Sequence, residues 1–130
     1  MQKLKTLQIK IFIIFISISL LNYSYAKHEH SEREYQQAWC GARRGVMEYK
    51  LEDKTRVDCL TKNYAVEFDF APKWAESIGQ ALHYSLMTGK KAKVVLILES
   101  KKDKIYYKRA KKLAKKHHFK VEYVTNKIFK

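Results

Sequence analysis

The run Lys93 to Leu98, KVVLIL, holds no polar residue after its first. A strand with one wet face alternates apolar and polar side chains, so an unbroken run is the pattern of a strand covered on both sides. The neighbouring segments can supply that cover. Upstream, Lys73 to Met87 carries Trp74, Ile78, Ala81, Leu82 and Ser85 at helical spacing, with Pro72 at its start and Thr88-Gly89 at its end. Downstream, Lys102 to His117 places Ile105, Tyr106, Ala110, Leu113 and Ala114 on one side and lysines on the other. Ser31 and Glu34 form an S-x-x-E capping box opening a helix over 32–43, with Tyr35, Ala38, Trp39 and Ala42 on one stripe and Gly45 closing it.

Three β-prone runs follow: Val46 to Leu51, Thr55 to Leu60 and Tyr64 to Phe70. Their separators, Glu52-Asp53-Lys54 and Lys62-Asn63, have hairpin length, which predicts a meander. Phe119 to Thr125 supplies a last strand. The order is α-β-β-β-α-β-α-β, without repeat or linker. It predicts one α/β domain over 32–130, a mixed central sheet flanked by helices.

Residues 1–26 hold three lysines, no acid, an apolar run from Ile11 to Leu21 and a small-x-small end at Ser24 and Ala26. This reads as a signal peptide and predicts an exported chain, periplasmic or secreted. The run falls short of the roughly 20 residues that span a bilayer, so no membrane anchor is expected after cleavage. Residues 27–31, KHEHS, read as a loose polar leader whose His28 and His30 are solvated. An exported chain meets an oxidising compartment, where Cys40 and Cys59 either form a bridge or stay as two buried thiols.

The net charge of +14 is unevenly spread. Residues 27–89 hold 9 basic and 10 acidic side chains, whereas residues 90–130 hold 15 and 3. On the helix over 102–117, Lys104, Lys108, Arg109, Lys111 and Lys112 make a cationic face suited to a phosphate polyanion such as nucleic acid. The same charge would attract an anionic membrane surface or cell-wall polymer.

The segment RVDCLTKNYAVEFDF, residues 56–70, holds the acids of interest. With Lys62-Asn63 as a two-residue loop, Asp58 stands opposite Glu67 and Arg56 opposite Asp69, while Val57, Cys59, Val66 and Phe68 fill the other face. Opposed like charges are unfavourable by a few tenths to about 1 kcal/mol in a sheet. A hard divalent cation reverses the sign, which predicts Mg²⁺ or Mn²⁺ between the two. A three-residue first hairpin would bring Glu48 opposite Asp58, and a two-residue one would not.

In VDCL, VEFDF and the later GQALHYS, in this order of elements, the chain resembles the PD-(D/E)xK nuclease superfamily over nearly all of residues 32–130. The resemblance implies a restriction-endonuclease-like fold and Mg²⁺-dependent cleavage of nucleic acid. It implies metal ligands at Asp58 and Glu67, joined by a helix Glu, for which Glu34 is the best-placed match and Glu48 the competitor. Gln80 and Tyr84 match the Q-x-x-x-Y signature of the RecB-like branch, one helical turn apart. One position departs: Asp69 stands where the motif has its lysine. Lys73, at the start of the next helix, is the expected substitute. The departure leaves an inactive, nuclease-like periplasmic binding protein as the alternative to an enzyme, and a cationic surface-binding protein as a third reading.

Overall fold

The computed structural model describes residues 28–130, so the expected signal peptide and Lys27 lie outside the described residues. The elements are α1 (Glu32–Gly41), β1 (Val46–Lys50), β2 (Arg56–Leu60), β3 (Tyr64–Phe70), α2 (Trp74–Thr88), β4 (Lys91–Ile97), α3 (Lys104–His117) and β5 (Lys120–Val124). Short 3₁₀ turns cover Ala71–Lys73, Lys101–Asp103 and Asn126–Phe129. The chain is an α/β protein in which one five-stranded mixed sheet, ordered β1-β2-β3-β4-β5, carries three helices. The meander β1-β2-β3 is antiparallel, and β3, β4 and β5 run parallel.

Strand β4 is buried on both sides, as its apolar run predicts. Val94, Leu96 and Leu98 pack with Ile78 and Ala81 of α2, Ala110 and Ala114 of α3 and Val121 of β5. Val95 faces the other way, against Trp39 and Cys40 of α1 with Cys59, Val66 and Phe68. Both parallel crossovers therefore place their helix on one side of the sheet, and α1 with the 3₁₀ turn Asn126–Phe129 covers part of the other.

Two helical stripes differ from expectation. Ser77, Ile78, Ala81 and Tyr84 are the buried residues of α2, while Leu82 is exposed. On α3 the buried residues are Ala110 and Ala114, with Tyr106 and Tyr107 packed beside them; Ile105 and Leu113 are exposed. In both, small side chains let the helix lie close to the sheet and the longer apolar residues ride on the flank.

The segment before α1 is docked rather than loose. The His28 ring stacks on Phe70 with centroids 3.6 Å apart, and its Nδ1 lies 2.6 Å from Glu99 Oε2. Asn126 donates to Glu29 at 3.0 Å, and His30 packs on Phe129 at 4.1 Å. Aromatic faces at the ends of β3 and of the chain give these polar residues something to cover, which their own composition does not reveal.

Cys40 of α1 and Cys59 of β2 are disulfide-bonded, 19 residues apart in sequence. Gly45 lies against the bond, and a β-carbon there would collide with both sulfurs. Removing the bond frees the unfolded chain most, by about 3 kcal/mol for a loop of this size. We expect Cys40→Ala/Cys59→Ala to lose about that much stability in urea titration; an unchanged midpoint would show that packing alone holds α1 in place.

Candidate functional site

The pairing of β2 with β3 holds at Cys59–Val66 and Leu60–Ala65, closed by the Thr61 N–H donating to the Tyr64 carbonyl at 2.9 Å, and then stops. Asp58 accounts for the stop. Its Oδ2 accepts the Phe68 backbone N–H at 2.7 Å, so a side chain takes the donor that a regular ladder would give to the backbone. The strands part there, and this break in the ladder is the cleft around which the acids gather. Val57 shifts with them: it packs with Leu51, Ala65 and Tyr84 instead of joining Cys59, Val66 and Phe68 on the disulfide side. Asp69 likewise has partners other than Arg56. Its Oδ1 accepts the Phe70 N–H at 2.8 Å and lies 3.7 Å from Lys73 Nζ.

Glu67 and Asp69 are both buried, at 5% and 4% exposure. Asp58 and Glu67 are neighbours, and the protonation of each bears on the other. Burial pushes both above the ordinary carboxylate range, and the charge of Asp58 adds to the effect on Glu67. One oxygen, Glu67 Oε2, is fully buried with no hydrogen-bond partner. An orphaned buried carboxylate oxygen is costly and marks a place where a ligand or ion would be favourable.

The first hairpin has the three-residue loop: Leu51 N–H donates to Thr55 O at 2.9 Å, and Lys54 takes the left-handed conformation at φ 71°. Met47 then pairs with Cys59 and Tyr49 with Val57, which sets Glu48 level with Asp58. Glu48 itself has φ 53°, a strained backbone for a non-glycine residue inside a strand. Its charge adds to the upward push on Asp58.

Glu34, the expected helix ligand, is elsewhere. Its carboxylate accepts the Ser31 N–H at 2.7 Å and the Ser31 hydroxyl at 2.9 Å, completing the capping box, and these bonds hold it below the usual range. Glu32 takes the place at the cleft. Burial pushes it up to about 7, followed by the charges of Asp58 and Asp69, while Lys73 pulls the other way. The signal was available: a capping box already uses its Glu, so the other acid of that turn is the one free to reach the sheet.

From α2, the Tyr84 hydroxyl donates to Gln80 Oε1 at 3.3 Å. Burial raises the tyrosine above its usual value, and Glu67 and Asp58 add to the shift. The cleft therefore gathers Glu32, Glu48, Asp58, Glu67 and Asp69, with Lys73 and Tyr84 beside them and Gln80 bonded to that tyrosine. Among the described residues, however, no three His, Cys, Asp or Glu side chains stand arranged to hold a metal ion. Asp58 is committed to the Phe68 amide.

The cationic residues of α3 divide. Lys104 lies at the C-terminal ends of β4 and β5 with Lys101 and Lys127, and Arg109 sits 5.8 Å over the Tyr106 ring. Lys108, Lys111 and Lys112 line a separate groove farther along the helix. No protein-family model, curated protein or solved structure matches the chain.

The raised carboxyls fix a pH dependence. The unfolded chain ionises them near pH 4 to 4.5, whereas the native state keeps protons at higher pH, so stability falls as pH rises. Metal-free protein is expected to melt at lower temperature at pH 8 than at pH 5, and Glu67→Gln is expected to flatten that slope and to raise the midpoint at pH 8. A slope unchanged by the substitution would remove Glu67 as the proton holder.

Proposed function

We propose that the chain is an exported, metal-dependent phosphodiesterase of restriction-endonuclease-like fold acting on DNA or RNA. The observation that carries the reading is Glu67: a buried carboxylate with a partnerless oxygen, beside a second acid at a break in the sheet. The mixed sheet and the order of helices and strands accord with it, as does the disulfide, which suits an oxidising compartment.

The donor set fits a hard divalent cation in chemistry, since all its members are carboxylates. Asp58 and Glu67 would hold Mg²⁺ or Mn²⁺ on ionising, with Glu32 or Glu48 as third donor. Such an ion supplies Lewis acidity toward a water and a phosphate oxygen. Lys73, exposed and tied loosely to Asp69, can turn its ammonium to a phosphate oxygen or exchange a proton at Nζ. Gln80 accepts from Tyr84, which leaves its amide nitrogen as a donor to the nucleic-acid backbone.

Two observations favour the inactive, nuclease-like binding protein as second reading. Asp69 occupies the motif-lysine position, and among the described residues the acids form no three-donor set.

With Mg²⁺ or Mn²⁺, the mature protein is expected to nick plasmid DNA or cleave RNA. Asp58→Asn and Glu67→Gln should each lower the rate by at least about 100-fold while the variants remain folded. Full activity in both would sink the enzyme reading. Metal-induced stabilisation without cleavage by the unsubstituted chain would select the second.

A further inference from the structure

The groove on the outer flank of α3 has a volume of about 710 Å³. Lys108, Lys111, Lys112 and Lys115 form one wall, and Lys120 at the start of β5 with His118 forms the other; no acid lines it. None of these lysines makes an ion pair among the described residues, whereas Lys73 and Lys93 both do. Five like charges around one concavity repel each other, and each is hydrated and free to meet an anion. The floor, made by Ala114, Phe119 and Val121, offers little to hydrogen-bond.

This groove is a different place from the acid cleft. The cleft opens between β2 and β3, and the groove lies beyond β5, the opposite edge of the sheet. At about 4.8 Å per strand, β3 and β5 alone are about 10 Å apart, with β4 between them and α2 and α3 above.

Shape and spacing select the occupant. Lys108 to Lys115 spans two helical turns, about 10 Å, a length over which duplex DNA presents about six phosphate charges. A phospholipid surface is flat and meets convex faces, whereas here lysines stand on two walls of a trough. Phe119 is buried and the His118 imidazole is the one exposed ring lining the groove, so successive unpaired bases find no row of rings to stack on. We propose that the groove is a docking site for the phosphate backbone of duplex nucleic acid, independent of metal and of base sequence. It shares a class of partner with the proposed phosphodiesterase and rests on the groove's own charge and form.

The test uses mature protein in EDTA, so that no cleavage intervenes, with a labelled 20-base-pair DNA duplex titrated at several salt concentrations. Five lysine contacts predict a slope of log K against log salt of about −4 to −5. Lys111→Gln/Lys115→Gln should bring that slope about 2 units closer to zero and weaken binding at least tenfold in low salt. Lys50→Gln/Lys62→Gln, an equal loss of charge on the β1-β2-β3 meander and outside the groove, should keep the slope. Thermal melts of each variant report that the fold is kept. Equal loss in both variants, no loss in the first, or tighter binding to vesicles of anionic phospholipid than to the duplex would each overturn the proposal.

Discussion

A single hydrogen bond, from the Phe68 amide to the Asp58 carboxylate, decides the form of the cleft. A regular antiparallel pair would have closed β2 on β3 along its whole length. With a side chain inserted in the ladder, the strands stay joined near the hairpin and separate beyond it. Glu67 is thereby left buried without a full complement of partners, and Glu32 approaches closely enough for the Asp58 and Asp69 charges to act on it. Replacing the backbone acceptor by a carboxylate also keeps a charge-bearing group where the sheet interior would tolerate none unpaired.

Much of the architecture was legible because its causes are local. The unbroken run in β4, the capping box at Ser31 and the two hairpin loops each name an element or register through short-range chemistry. The register of Cys59 on Val66 and Leu60 on Ala65, which brings Asp58 beside Glu67, followed from loop length alone. What sequence could not show were consequences of that juxtaposition: a side chain turning into the ladder, the displacement of Val57, and a lysine rather than Arg56 beside Asp69. Glu34 is spent on its own N-terminus, as the S-x-x-E spacing already implies, and Glu32 is the acid of that turn on which the Asp58 and Asp69 charges act.

The outward shift of Leu82, Ile105 and Leu113 has a related origin. Apolar periodicity ranks residues by hydrophobicity, but a helix lying close over a sheet is positioned by its small residues. Ser77, Ala81, Ala110 and Ala114 hold those contacts, and larger neighbours lose them.

The Cys40–Cys59 bond ties α1, which carries Glu32, to β2, which carries Asp58. One partner adjoins Asp58 in β2, and the other lies about two turns along α1 from Glu32. Two preparations of identical sequence, one recovered from a reducing host and the other from an oxidising one, are thus different molecules at the point where the carboxylates meet. Thiol content belongs beside purity when batches of this protein are compared.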